Sequence, residues 1–497
     1  MEYTIIRYLI RLYYKLTRTY KMKNSIFAVI TTILLAVTSC IEDGFTTDKG
    51  DTLAFSTDTL SFDTVFTGET TATKRFLVYN RHKKQLLIER ICLDGASEGA
   101  HFFLNVDGRT GKEFSNIEVR GEDSIFVFVE AHVDATDSNL PFDIFDRLNF
   151  VTNGVQQTVV MRAAGQNAVT VTDWHISDNT TLSPDRPYRV MDSIVVENGA
   201  TLNIPAGTTL YFHDKALLKV RGTLRAKGET DRPVRFRGDR LDKVAGSIPF
   251  ELMSGQWGGI RLEKESFENE LSHTIMQSSS FGVTADSCGV LERKKLYLHN
   301  SVLHNSSAST LASTHAWIDA DGCEFSDAKD GVVDLTGGKH SFNNCTFANY
   351  YLFDAISGAI LTVRYALPDE KAFANPLMEA EFNNCVIYGN AADISSGDLT
   401  GSRVFLRNCL LRAKGSDDEN FLNCVWGGDP KFFTVRDKYI FDYRLKNESD
   451  AIGKGDPMTC PENARIDRYG NDRLVGGALD LGAYVWITQQ EDNPKEK

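Results

Sequence analysis

The sequence predicts an all-β protein in two parts, a β-sandwich followed by a long solenoid of short strands. Three observations carry that reading. Between residues 53 and 168, apolar and polar residues alternate in short runs broken by Gly, Asn and Asp, the period of half-buried strands. From residue 169 the runs stay short, close on Gly or a polar turn, and show no helical period. Within that second part a strand–turn unit recurs at a nearly fixed step, the signature of a coil-built repeat. Composition agrees. A length of 497 residues allows two or more domains or one long repeat, and 42% hydrophobic residues with 30 Phe exclude a largely disordered chain. With 54 Lys+Arg against 67 Asp+Glu the formal net charge is −13, and no Lys/Arg-dense stretch stands out. That balance argues against general nucleic-acid binding, because phosphate attraction needs a basic face.

The N-terminus sets the compartment. The one long apolar run, Ile26 to Val37, follows Lys21 and Lys23 and ends in Val37-Thr38-Ser39-Cys40. It is too short to span a bilayer as a helix and suits the apolar centre of a signal peptide over residues 1–39. Small residues at 38 and 39 before Cys40 resemble a bacterial lipobox, in which the Cys thiol is diacylated and becomes the new N-terminus. The alternative is an ordinary cleavage site with an incidental Cys. Arg7, Arg11, Lys15 and Arg18 lie among apolar residues ahead of Met22, so Met22 is the expected start, with an extra amphipathic segment as the alternative. Residues 40–52 are short, polar and aperiodic, and read as a lipidated tether.

Glu42 and Asp43, just after the Cys, resemble the surface-export signal of Bacteroidetes lipoproteins. Asp-Ser/Thr-aliphatic triplets starting at Asp51, Asp58, Asp63, Asp123 and Asp192 resemble the O-glycosylation signal of the same group. These resemblances imply an outer-membrane lipoprotein, facing the cell surface or the periplasm. Processing would remove six Lys/Arg and one Glu, leaving 48 basic and 66 acidic residues and a net charge of −18.

In the first domain, residues 53–168, clear strands run over 60–65, 75–80, 124–129 and 157–161. Gly68 follows the opening strand, Asn80 ends the second, and Leu148-Asn149-Phe150 precedes the last; this order resembles Ig-like domains of the ASPM-SPD-2-Hydin kind. The resemblance implies a spacer or interaction module without catalysis. His82, His101 and His132 are too scattered for a metal-site pattern.

The second domain, residues 169–485, opens with strands over 199–210, 217–224, 233–236 and 257–262, whose order resembles the first coils of right-handed parallel β-helix proteins. A unit then repeats as Leu296–Ser301, Phe342–Cys345, Phe382–Cys385, Phe405–Cys409 and Phe421–Cys424, with a degenerate copy Trp317–Cys323. Anchors 300, 322, 344, 384 and 408 are spaced by 22, 22, 40 and 24 residues. The 40 reads as two coils, one without the signature, and the last step of 15 to residue 423 as a departure from regular coiling. A period near 22 fits three short strands per turn. Asn300, Asn344, Asn384 and Asn408 suit a left-handed bend, and stacked coil on coil their amides would form a ladder. Cys323, Cys345, Cys385 and Cys409 read as an inward stack of small side chains, with disulfides or metal ligation as alternatives.

Asp429-Pro430-Lys431-Phe432, Asp467–Arg473 and Asp480–Tyr484 resemble the C-terminal region of bacterial choice-of-anchor Q β-helix proteins. The resemblance implies a cap, which an open coil end requires. Residues 486–497 read as a disordered tail.

Chemistry is sparse. A glycosidase needs two carboxylates at a controlled separation, and a lyase needs a cation and a base. The Asn-Thr-Asp, Asp-Asp and Gly-His-Gly set of polygalacturonases is missing, and Gly108–Glu113 is no phosphate loop. Asp334, Asp354 and Asp393, with Asp286 ahead of them, recur at a similar offset after the anchors. Stacked on one face they would raise one another's pKa and take Ca2+ or an Arg/Lys partner; the alternative is solvated corner residues. No other cofactor is implied. His273, His299 and His340 read as ladder or surface residues.

Two function classes emerge. One is a non-catalytic, lipid-anchored surface protein whose rigid β-helix binds glycan, matrix or envelope partners, without nucleic acid. The other is a polysaccharide lyase or glycoside hydrolase using the solenoid face. For the anchor, cells fed labelled fatty acid are expected to label the parent protein and not Cys40→Ala; unlabelled parent protein in the soluble fraction overturns it.

Overall fold

The structure, a computed structural model, describes residues 44–95, 100–244, 248–287, 291–364, 377–396 and 402–490. Cys40, the signal segment 1–39 and residues 491–497 lie outside the described residues, whereas 486–490 of the expected disordered tail are ordered: Trp486 packs on the C-terminal cluster and Gln489 bonds Asn447. Its contacts divide the chain into Met1–Ala135 with Asp143–Gly165, and Thr136–Phe142 with Gln166–Lys497.

The first unit is two five-stranded sheets built from antiparallel pairs. Ser124–Val133 buries Ile125, Val127, Val129, Ala131 and Val133, because alternate residues share one face of a strand. The two sheets meet through rings. Phe62 lies 6.0 Å from Phe102, and Phe150 lies 5.0 Å from Phe55 and 6.3 Å from Phe76. Asn80 fixes the turn after Lys74–Tyr79: its buried amide donates to the carbonyls of Lys84, Val119 and Arg120 and accepts from the His82 N–H.

The second unit is a parallel solenoid of an 11-stranded and a 17-stranded sheet. The larger sheet is two columns of strands, fused where Leu311–Asp321 and Val333–Asn343 run through both. One coil therefore gives a strand to each of three columns, as in Gly259–Leu262, Asn269–Ser272 and Thr274–Gln277. Inward residues align into rows, so like stacks on like. Phe342 stacks on Phe382 at 5.2 Å and Phe325 on Phe347 at 5.3 Å. Burying each such ring contributes about 1.5–3 kcal/mol.

Register corrects two spacings. Phe342 pairs directly with Phe382, so the 40-residue step is one coil lengthened by loops, not two coils. Leu406 pairs with Phe421 and Leu410 with Val425, so the 15-residue step is a regular advance of a shortened coil. Sequence spacing misleads at both places because loops absorb length at little entropic cost while the strands keep register.

Each repeat turns from the larger sheet into the smaller one at a left-handed residue. Asn300, Gly322, Asn344, Asn384, Asn408 and Asn423 have φ between 46° and 65°. Gly replaces Asn at 322 because a Cβ there would stand 2.4 Å from Asn300 Oδ1 and 3.1 Å from Arg473 Nη2. Among the described residues, the corner amides form no ladder with one another. Asn300 donates to Ile466 O at 3.0 Å and Asn344 to Asp480 O at 3.5 Å. Asn384 donates to Thr459 Oγ1 at 2.8 Å and accepts from the Asp456 N–H at 2.8 Å. A ladder forms one residue earlier, where Asn383 donates to Asn343 Oδ1 at 3.0 Å and Asn343 to Asp321 Oδ1 at 2.8 Å. The last strand residue projects along the row toward its neighbours one coil away, whereas the left-handed residue swings its side chain off the row.

Cys323, Cys345, Cys385 and Cys409 are buried free thiols after these corners. The S–H groups of Cys345, Cys385 and Cys409 donate to carbonyls of the preceding coil, as from Cys385 to Phe342 at 3.5 Å and Cys409 to Phe382 at 3.3 Å, whereas Cys323 donates to Asp321 O at 3.4 Å. The C-terminal residues expected as a cap lie along the side of the stack. Phe432, Tyr443, Leu445, Leu481 and Tyr484 cover Ala348, Val386 and Leu410 of the smaller sheet. Buried Arg473 holds that cover together, donating to the carbonyls of Ala464, Gly482 and Ala483 at 2.8, 3.0 and 2.7 Å.

The corner geometry is testable at Asn408, whose φ is 52°. Asn408→Ala is expected to lower stability by about 1 kcal/mol, while Asn408→Gly stays near the parent. Urea unfolding midpoints decide; equal losses in both variants remove the argument.

Candidate functional site

The acids singled out in the sequence do not converge. Asp334 meets Arg364, one coil on, at 2.7 Å; Asp354 meets Lys329 at 2.6 Å; Asp286 meets Arg261 at 2.9 Å. Asp393 accepts the Ala413 N–H at 2.7 Å and lies 4.0 Å from Arg412 Nε. Register places Thr362 and Ser395 in the row of Asp334, so a similar sequence offset is not a common row. Among the described residues, no three His, Cys, Asp or Glu side chains gather where they would hold a metal. The rings of His273 and His299 lie 5.3 Å apart, and His340 sits elsewhere, 2.9 Å from Gly337 O. Burial, with His273 and Arg473 nearby, pushes His299 down to about 4, and burial takes His340 to about 4.

A second group of acids, Glu324 and Asp327, lies beneath the C-terminal cover. Tyr443 donates its hydroxyl to Asp327 Oδ2 at 2.5 Å, Tyr484 donates to Glu324, and Ser326 donates to Glu324 Oε1 at 2.6 Å. His304 Nδ1 stands 3.0 Å from Ser326 Oγ and 3.3 Å from Asp327 Oδ2. Burial pushes Asp327 up to about 7 against the Tyr443 and Tyr350 hydrogen bonds; it raises Glu324 and lowers His304. The cavity between His304, Asp327, Tyr351 and Phe441 is about 10 Å³. That volume is at the lower limit for one water and far below a sugar ring.

The open site is the outward face of the larger sheet. Its register row carries Arg225, Glu270, Tyr297, Asp319, Ser341, Glu381 and Phe405. Trp317 and Lys339 form the adjacent row. Tyr297, Trp317 and Phe405 are half-buried, each with a cation on its ring. Lys294 lies 5.1 Å from Tyr297 and 5.4 Å from Trp317, Lys339 lies 4.5 Å from Trp317, and Arg407 lies 4.7 Å from Phe405. Carboxylates sit among them: Asp319 bonds Lys294 at 2.6 Å and Glu381 bonds Arg407 at 3.2 Å. At roughly 4.8 Å per coil, Tyr297 and Phe405 stand about 19 Å apart. Toward the N-terminal coils a groove of about 410 Å³ opens between Asn203, Pro205, Arg225, Lys227 and Arg232.

Sequence reasoning missed this row and the basic coil beside it. Trp317 and Phe405 were visible only as members of repeats, and outward aromatics are indistinguishable from core ones until register is known. The coil was visible, for six of the nine ionisable residues between Arg225 and Arg240 are cations. The net charge of −13 masks it, so the reading that no Lys/Arg-dense stretch stands out is corrected here.

No protein-family model matches the sequence, and no curated protein does. Solved structures to which the chain is similar include two glycoside hydrolases. The catalytic unit of a thermostable family 87 α-1,3-glucanase from Streptomyces thermodiastaticus aligns over 71% of this chain and 89% of its own, at 8% identity and a TM-score of 0.19. A family 123 glycoside hydrolase from Clostridium perfringens, described for glycolipid glycan hydrolysis, aligns over 26% of each chain at 7% identity and a TM-score of 0.16. Neither likeness bears on the chemistry of the site.

The buried acids yield a pH signature. Asp327 binds its proton more tightly when folded, so its stabilising contribution is full below the unfolded pKa near 3.8 and is lost as pH rises through about 7. His304, lowered by burial, opposes this as pH falls below its ordinary value of 6.5. Asp327→Asn keeps an acceptor for Tyr350 and a donor toward Tyr443 but does not titrate. Its unfolding free energy is expected to gain on the parent between about pH 4 and 7, by up to about 4 kcal/mol. Parallel pH profiles of the two proteins would exclude Asp327 as the titrating group.

Proposed function

We propose that this chain is a lipid-anchored surface protein of the Bacteroidetes type, in which an Ig-like spacer carries a right-handed β-helix that binds glycan without catalysis. The aromatic and charged row from Arg225 to Phe405 carries the reading. Aromatic rings offer apolar faces to the C–H side of a sugar, and the neighbouring carboxylates, amides and ammonium groups bond hydroxyls. Repetition at coil spacing suits an extended polymer better than a small molecule held in a closed pocket. The acids support binding over hydrolysis or lyase chemistry: Asp334 and Asp354 are held by Arg364 and Lys329, and Glu324 and Asp327 are covered.

Purified mature protein run over a panel of immobilised polysaccharides is expected to be retained by at least one. The double variant Trp317→Ala/Phe405→Ala is expected to bind it about tenfold more weakly. Retention by none overturns glycan binding. Release of oligosaccharides from any of them favours the lyase or hydrolase reading instead.

A further inference from the structure

We propose that Arg235, Arg237 and Arg468 form a binding site for one acidic group, a carboxylate or a sulfate, of an anionic polysaccharide. The polysaccharide rests on the glycan-binding reading above; the anion site does not.

The coil from Arg225 to Arg240 is basic in an acidic chain, and most of its cations are already paired. Lys227 bonds Glu270 at 2.8 Å, Arg232 bonds Glu229 at 3.1 Å and Arg240 bonds Asp242 at 2.6 Å. Strand Val234–Gly238 sends Phe236 into the core, so Arg235 and Arg237 both project from the outer face of the smaller sheet. The register partners of Arg235 are Thr209 and Ile275, neither of them charged. Arg237 covers the ring of Tyr211 at 5.7 Å.

Arg468 arrives from the C-terminal cover. Asn300 holds Ile466 O at 3.0 Å, two coils on from Arg235, and the ring of Tyr469 rests 5.6 Å from that of Tyr484. Partial desolvation and the Arg468 charge both hold Arg235 and His273 below their ordinary pKa values, which agrees with that placement. Glu251, a carboxylate acting on Arg235, is already bonded to Arg237 Nη1 at 3.0 Å and Gln277 Nε2 at 3.3 Å. Among the described residues, two buried guanidinium nitrogens, Arg237 Nε and Arg468 Nη1, find no hydrogen-bond partner.

Three cations around a carboxylate that is already shared make a cluster that an incoming anion stabilises. Guanidinium forks match carboxylate and sulfate oxygens in plane. A nucleic acid fits less well, because its continuous phosphates would meet the acidic surface beyond this coil, whereas one acidic group per sugar need not.

The test uses the mature chain, with inorganic sulfate and galacturonate as small probes in calorimetry. Polygalacturonate, dextran sulfate, a neutral glucan and single-stranded DNA serve as polymers. The parent is expected to bind sulfate or galacturonate, and whichever binds names the acidic group. Arg235→Glu and Arg468→Gln are expected to weaken the acidic polymer at least about tenfold while leaving the neutral glucan and the unfolding midpoint unchanged. Arg235→Ala, a milder change at an exposed position, is read beside them should a variant unfold. Anion binding that is equal in parent and variants overturns the site, as does DNA bound as tightly as the acidic polymers. Loss of sulfate binding in Arg235→Glu with no polysaccharide retained by the parent upholds the site and overturns the glycan reading.

Discussion

The left-handed corner between the two sheets is the constraint on which the solenoid depends. Side chains alternate along a strand, so a slip of one residue at the corner would turn every inward row outward. Asn, or Gly at 322, holds the chain in that conformation at the same point of successive coils. The residue after the corner is small and inward, as Ser301, Cys323, Cys345, Cys385, Cys409 and Cys424 are. The residue before it ends a strand and is free to bond along the row, as Asp321, Asn343 and Asn383 do. The Phe stacks, the Cys stack and the outward row of Tyr297 and Phe405 all inherit their alignment from this turn.

The corner side chains have a second consequence. Because they leave the row, their amides are available to the C-terminal residues, which lie down against them and across the smaller sheet. That cover buries groups that seldom occur in an interior, Glu324, Asp327 and Arg473, and meets their hydrogen-bonding needs with Tyr484, Tyr443 and main-chain carbonyls. Taking such groups out of water is costly unless they are bonded, so the cover and the polar residues beneath it require each other. It also divides the surface. The larger sheet keeps an open aromatic and charged face, while on the smaller one Arg235 stays exposed beside half-buried Arg237.

Much of the repeat was legible in residue type. Phe-x-Asn-Cys and its variants announced the coil, and Gly and Asn announced the bends. The step lengths were not legible as coils, since Phe342 to Phe382 spans loops that no periodicity describes and Leu406 to Phe421 spans a coil cut short. The candidate site was less legible. Asp334, Asp354 and Asp393 have similar sequence offsets and no common row, whereas Arg407 shares a face with Trp317 and Lys339 but not their offset from the anchors.

By itself the sequence determined the all-β character, the coil-by-coil build of the second part and the residues at its corners, because these depend on local alternation and on which side chains tolerate a left-handed bend. The tertiary structure alone decided which residues stand side by side: that Asn343, not Asn344, carries the ladder, that the C-terminal residues cover a face, and that Tyr443 and Tyr484 meet Asp327 and Glu324. Those neighbours are tens to hundreds of residues apart in the chain, and only the hydrogen-bond register between coils brings them together.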